Sequence, residues 1–258
     1  MILQLKNICK TFNRGTVNET TLFHDFNFEM EQGEYVSIVG SNGSGKTTLL
    51  NIICGSLPID SGHVMISGQD VTHRKDFRRY KKIGRVYQNP SMGTCPHMTV
   101  LENMALADNK GKPWNLGFLC SKKKIDSYRE MLSDLGLGLE DRMQVRVGAL
   151  SGGQRQAMSL LMTTMTPLDF LILDEHTAAL DPKTSETIMQ LTDRIIREKN
   201  LTALMVTHNL RYAAEYGSRL IMMHEGHCIM DLTGDDKKNA NVDTLLSTFY
   251  EISIETGN

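Results

Sequence analysis

Tyr35-Val-Ser-Ile-Val-Gly40-Ser-Asn-Gly-Ser-Gly45-Lys46-Thr47-Thr48-Leu-Leu50 is the stretch that decides the fold. Tyr35–Val39 is a short apolar run of buried-strand type. Gly40 to Thr47 fits the pattern G-x-x-x-x-G-K-[ST]. A helix is expected from Lys46 to about Cys54, with Leu49, Leu50, Ile52 and Ile53 apolar and Gly55 placed to end it. The glycines let successive backbone N–H groups face one anion without interference from a Cβ. The helix adds its positive end. Gly40, Ser41, Asn42, Gly43, Ser44, Gly45, Lys46, Thr47 and Thr48 are therefore candidates for a phosphate site. Lys46 is suited to the terminal phosphates and the Thr47 hydroxyl to Mg²⁺.

A second element completes such a site. Phe170-Leu-Ile-Leu-Asp174-Glu175 reads as a hydrophobic strand ending in two carboxylates. Parallel sheets gather ligands at the carboxyl ends of their strands, so Asp174 is expected beside the phosphate loop, positioned for Mg²⁺. Glu175, one residue on, is suited to orient and polarise an attacking water. A phosphate loop with an acidic strand end is shared by kinases, GTPases, helicases and transport ATPases, and does not choose among them.

Outward from these two stretches the pattern is α/β. Ile2–Leu5, Phe26–Met30 and His63–Ile66 read as strands. Thr99–Ala107 and Lys123–Leu135 read as helices, the latter with Ile125, Tyr128, Leu132 and Leu135 on one face. Between them, Asp108–Ser121 holds Gly, Pro, Lys and the single Trp114, a loop or insertion. Asp181-Pro182 opens a helix as cap and first-turn proline. Ala203–Thr207 is a strand, Leu210–Tyr216 a helix, and Arg219–His224 a strand turned by Glu225-Gly226 into His227–Met230. The tail from Lys237 reads as a helix. Strands separated by helices imply parallel βαβ units, and no internal repeat is present.

Composition limits the alternatives. The 258 residues can bury a sizeable core without staples. The 28 basic and 30 acidic side chains leave a net charge of −2, which argues against a dedicated nucleic-acid binder. No apolar run approaches a membrane span, and the N-terminus has no secretory pattern; the chain is expected neither to be secreted nor to cross a membrane by itself. Five scattered cysteines suggest no disulfide framework and fit a reducing cytosol. The sixteen methionines read mainly as core fillers. His224 and His227 have the look of a metal pair, but lie across the expected hairpin turn and read as structural.

Leu150-Ser151-Gly152-Gly153-Gln154-Arg155-Gln156 discriminates. Ser151 and Gln154 have capping-box spacing before a helix expected over Gln156–Thr166, and the two glycines allow close approach to an anion at its start. Here the chain resembles the ATP-binding-cassette ATPases, whose signature is LSGGQ. The resemblance runs through the whole chain. Gln88 looks like the Q-loop glutamine, Ala179-Leu180-Asp181 like the D-loop, His208 like the switch histidine, and Phe12 like the aromatic that stacks on adenine.

The resemblance implies an α/β fold: a P-loop NTPase core with a mixed sheet, an antiparallel β subdomain and a helical subdomain. Within one domain spanning 1–258, the core with its β part would be 1–88 and 167–235, the helical part 89–166 and the tail 236–258. It implies ATP and Mg²⁺ as cofactors, with Thr47, Gln88 and Asp174 toward the metal. It assigns catalysis to Glu175, His208 and Lys46. It implies head-to-tail pairing with a second cassette, most simply a copy of itself. ATP would then lie between one chain's phosphate loop and the Ser151–Gln154 stretch of the other. The same resemblance implies an integral membrane permease as partner, an extracytoplasmic binding protein reached indirectly, no nucleic acid, and a place on the inner face of the cell membrane. Ser91–Thr94, Leu135–Asp141 and Asp174-Glu-His-Thr177 look like the cassettes of bacterial aromatic amino acid (tryptophan/tyrosine-type) uptake systems. An exporter cassette and a soluble cassette acting on nucleic acid or ribosomes are the rivals; the second commonly carries paired cassettes or basic tracts, absent from this sequence.

One departure stands out. The family commonly has Pro after the catalytic glutamate, and here His176 follows Glu175. It restores an N–H and places a group able to titrate near neutral pH there. Lys122-Lys123-Lys124 reads as a solvated helix start, with an anionic membrane surface as the functional alternative. Trp114, Phe118 and Leu119 are candidates either for a permease contact or for a small core under their loop.

Overall fold

The computed structural model describes residues 1–112 and 122–255, the side chains of 250–255 excepted. In chain order the strands are β1 (Leu3–Phe12), β2 (Thr20–Met30), β3 (Tyr35–Gly40), β4 (Ser61–Ile66), β5 (Gln69–Asp70), β6 (Ile83–Val86), β7 (Phe170–Asp174), β8 (Ala203–Val206), β9 (Arg219–His224) and β10 (His227–Thr233). The α-helices are α1 (Lys46–Cys54), α2 (Asp76–Arg79), α3 (Val100–Asp108), α4 (Lys122–Ser133), α5 (Gly152–Thr163), α6 (Pro182–Glu198), α7 (Leu210–Glu215), α8 (Gly234–Lys238) and α9 (Val242–Glu255). They form two compact units, Met1–Arg79 with Thr202–Asn258, and Tyr80–Leu201.

The first unit holds two sheets. One is antiparallel, in the order β2-β1-β4-β5. Its alternation is half-buried: Phe26, Phe28 and Met30 of β2 are buried between exposed polar neighbours, and Leu3 and Leu5 of β1 are buried on either side of Gln4. The other is mixed. β3 runs parallel to β8 and to β9, and β10 returns antiparallel to β9. All six residues of β3 are buried, as a parallel strand covered on both faces requires. The β9–β10 connection is the two-residue turn Glu225-Gly226, at φ 43° and 79°; glycine takes the second positive φ without strain.

Helix α1 is held at both ends. Gly45 precedes it with no side-chain cap, leaving its first N–H groups facing outward, and Gly55 closes it in the left-handed conformation at φ 81°. The buried Arg79 guanidinium donates from Nη1 to Ile52 O at 2.8 Å, which also accepts from Gly55 N, and to Ile53 O at 3.0 Å in the last turn of the helix. Burial pushes the Arg79 pKa down from its ordinary value.

The second unit pairs β6 with β7 in parallel, Ile83 opposite Phe170 through Val86 opposite Leu173, and surrounds them with helices. Helix α3 starts at a full capping box, Thr99 with Glu102. Its last residue, Asp108, accepts from Lys112, Lys124 and Tyr128, tying α3 to α4; these donors hold its carboxyl well below the usual range. Helix α6 starts at Asp181 and Pro182 as expected.

Several elements differ from the sequence reading: β2 starts at Thr20 rather than Phe26, and β5 and α2 have no counterpart in it. β6 was not expected: it is four residues long, contains a glycine and an arginine, and gives no alternation. β1 reaches Phe12 rather than ending at Leu5, its register interrupted near Ile8 and Lys10. α5 begins at Gly152 rather than Gln156, because Ser151 caps it and draws both signature glycines into the first turn. Trp114, Phe118 and Leu119 lie outside the described residues. Among the described residues no helix is long and apolar enough to cross a membrane, and no group of His, Cys, Asp and Glu is arranged to hold a metal by itself.

Candidate functional site

In the first unit the phosphate loop is built around a lysine turned back over it. Lys46 is buried, and its Nζ donates to Gly40 O and Ser41 O, each at 2.8 Å, and to Ser44 Oγ at 3.3 Å. The ammonium therefore sits within the concavity of the loop. Gly43 and Gly45 take φ of 81° and 103°, which aim neighbouring amides inward. A Cβ at Gly40 would stand 2.3 Å from the Met223 carbonyl oxygen, and one at Gly45 3.1 Å from the Phe23 ring. The loop is thus cast against β9 and β2, and Gly226 N donates to Ser44 O at 3.0 Å from the β9–β10 turn. Ser41 Oγ lies 3.5 Å from His224 Nδ1. Asn42, Gly43 and Thr47 are exposed, Ser41 and Thr48 half-buried.

This cradle fits a polyphosphate. It offers a helix N-terminus with no side-chain cap, glycines in the conformations that turn amides toward one point, and a buried cation. Thr47 supplies a hard hydroxyl oxygen of the kind Mg²⁺ takes. Phe12 ends β1 half-buried, with Lys10 Nζ 5.4 Å from its ring centroid. His208 follows β8 and is exposed, just before Asn209, whose side chain caps α7 by accepting from Tyr212 N.

In the second unit Asp174 ends β7 and Glu175 follows with φ 47°, a conformation costly for a residue with a Cβ. Ala178 N bonds to Glu175 O at 2.9 Å, closing the turn that fixes it. Asp174 Oδ2 accepts from Arg85 Nη2 at 2.6 Å. Gln88 lies two residues past β6, exposed. His176 is buried, and its Nε2 lies 3.1 Å from Thr192 Oγ1. That hydroxyl donates to Ile188 O at 2.7 Å, so it accepts from His176, which is the neutral Nε2–H tautomer. Burial pushes the His176 pKa down to about 4. His176 does not titrate near neutral pH; it anchors the residue after Glu175 to α6.

The signature forms the expected capping box. Ser151 Oγ accepts from Gln154 N at 3.2 Å, and Ser151 N donates to Gln154 Oε1 at 3.1 Å. Gln154 Nε2 also donates to Leu137 O. Ser151 is exposed, Gly152 and Gln154 are half-buried and Gly153 is buried. A Cβ at Gly153 would stand 2.3 Å from Thr184 Cγ2, and one at Gly152 3.2 Å from Leu180 Cδ2. The glycines let α5 start directly against the D-loop and the first turn of α6.

Arg85, Phe23, Gly226 and Thr192 shape these sites, and the motifs do not point to them as site residues. Arg85 leaves one trace, a charge inside a short apolar run, and Gly226 reads only as a hairpin turn. Phe23 and Thr192 leave none, because their partners, Gly45 and His176, are distant in sequence.

A glycine-cradled lysine at a helix start, an acidic strand end and an LSGGQ helix cap define a P-loop ATPase of the cassette kind. The profile of the family described as ABC transporter matches residues 23–178. The tyrosine transport ATP-binding protein of Clostridioides difficile (strain R20291) is 46% identical over 248 residues, covering 96% of this chain and 98% of that one. The phosphonates import ATP-binding protein PhnC of Lactococcus lactis subsp. cremoris (strain SK11) is 31% identical, covering 89% and 92%. Among solved structures, the dimeric post-hydrolysis state of the ATP-binding cassette MJ0796 bound to ADP and Pi superposes with a TM-score of 0.74 at 30% identity, covering 90% and 98%. The chain belongs to the ABC transporter family. It is a nucleotide-binding ATPase cassette of a transporter.

Proposed function

We propose that this cassette drives a separate integral membrane permease that imports a small solute, an amino acid of the tyrosine type. The observation that carries the reading is its 46% identity, over nearly the full length of both chains, to a tyrosine transport ATP-binding protein. The solute would meet the permease and an extracytoplasmic binding protein rather than this chain, which would sit on the inner membrane face through the permease.

In this reading the loop amides of Gly40–Thr48 and the Lys46 ammonium bind the phosphates, and Phe12 stacks on the base. Thr47 and Asp174 hold Mg²⁺, with Gln88 beside it; the metal, when bound, neutralises charge on the phosphates. Glu175 orients the attacking water and His208 contacts the terminal phosphate. Ser151–Gln154 complete the site of a second copy, so turnover requires pairing. Solved cassettes such as MJ0796, seen as a dimer, support the pairing. Gln88, between the β6 strand and the helices that follow, would pass closure to the permease.

The test is a mild-detergent pull-down of tagged Glu175→Gln with ATP from the source cell. A co-purifying permease with an amino acid binding protein is expected. Recovery of ribosomes or soluble partners alone would overturn the transport partner assignment while leaving the ATPase intact.

A further inference from the structure

The carboxylate that this reading gives to Mg²⁺ already has a cation. Arg85 and Ile172 face each other on the adjacent strands β6 and β7, and Asp174 lies two residues beyond Ile172. The Arg85 guanidinium donates from Nη2 to Asp174 Oδ2 at 2.6 Å, and the two side chains are only 7% and 15% exposed. The guanidinium also stacks on the Tyr87 ring, 4.8 Å from its centroid, and the Tyr87 carbonyl is held by Gln156 Nε2 of α5 at 3.1 Å. A charge this well buried needs its partner, since separating such a pair leaves both ions desolvated and uncompensated. Arg85 is thus fixed in place by stacking and by the helix behind it, aimed at the end of β7.

We propose that Arg85 is the resident counter-cation of Asp174 and sets how strongly nucleotide binding depends on the divalent metal. The proposal rests on the nucleotide reading above, in which Asp174 faces the phosphates. Without metal, a bare carboxylate there repels a polyphosphate; Arg85 removes that repulsion, so the chain accepts nucleotide before metal. With metal, Asp174 must be shared between two cations, so the metal adds less affinity than it would to an unpaired carboxylate. Arg85 is a positioning residue: it acts through Asp174. It lies three residues before Gln88, so any movement that frees Asp174 is felt at once in the Q-loop.

The experiment measures the Kd of the fluorescent N-methylanthraniloyl derivative of ATP in excess EDTA and in excess Mg²⁺. The quantity read is the ratio of the two. One unit of charge restored to Asp174 near the phosphates at an effective dielectric of about 20 to 40 predicts a rise of roughly tenfold or more in that ratio for Arg85→Met. In an Asp174→Asn background the same substitution should change the ratio less than twofold. Arg85→Lys keeps a cation but loses the stack, and should raise the ratio about threefold; it serves as the test if Arg85→Met does not fold. An Arg85→Met that weakens binding equally in EDTA and Mg²⁺, or an unchanged ratio in a folded variant, overturns the proposal. Failure of the wild-type chain to bind the probe even with Mg²⁺ overturns the nucleotide reading instead.

Discussion

Acid should destabilise this protein through His176. Its ordinary pKa of 6.5 is pushed down to about 4 by burial. The unfolded chain therefore takes up a proton between those values while the folded chain does not, and stability falls as pH falls. The contribution is complete above about pH 6.5 and lost progressively toward pH 4. The full difference is worth about 3 kcal/mol at 1.36 kcal/mol per pKa unit, and about 2 kcal/mol of it is lost by pH 5. His176→Gln keeps a donor able to reach Thr192 Oγ1, now 3.1 Å from Nε2, but cannot titrate. Urea denaturation of both proteins at pH 7.5 and pH 5 isolates the effect, because the carboxylates common to both cancel. The wild type should lose about 2 kcal/mol more than the variant between the two pH values. Equal losses, or an imidazole proton resonance of His176 titrating near 6.5 in the folded protein, would show that burial does not hold His176 neutral.

Other substitutions probe the backbone of the two sites. Gly40→Ala places a Cβ 2.3 Å from the Met223 carbonyl, which has no rotamer to retreat into. It should lower stability by about 1–3 kcal/mol and abolish nucleotide binding, as thermal unfolding and binding titration would show. Gly153→Ala meets only the Thr184 methyl at 2.3 Å; a comparable loss is expected in thermal unfolding, and Thr184→Ser in the same chain should recover most of it. Ser151→Arg should block turnover while leaving nucleotide affinity of the single chain unchanged; equal weakening of that affinity would deny the signature a role across the pair.

Much of this architecture is legible in the sequence alone. The loop from Gly40 to Thr47 matches an anion-binding pattern because glycine spacing is local chemistry, and α1 and β7 have the residues expected. The helix start at Asp181 and the Ser151–Gln154 capping box are legible for the same reason, since a cap is written within four residues, although the helix behind Ser151 reads from the sequence as starting only at Gln156. β6 was not legible, because Gly84 and Arg85 interrupt its apolar pattern. The structure explains both. A Cβ at Gly84 would stand 2.6 Å from Leu168 and Thr163, and Arg85 is paid for by Asp174, 89 positions away. His176 misled in the same way. Its titration depends on burial beside Thr192 of α6, which no neighbouring residue announces.

Under the proposed function, two copies of this chain close on ATP and open after hydrolysis. Glu175→Gln should bind ATP and fail to split it, trapping the closed pair. The decisive measurement is its mass by light scattering after gel filtration, with and without Mg-ATP. The account predicts one-chain mass without nucleotide and two-chain mass with it, reverting to one chain when Ser151→Arg is added. A Glu175→Gln protein that stays at one-chain mass with ATP bound and turns ATP over at the wild-type rate would contradict it.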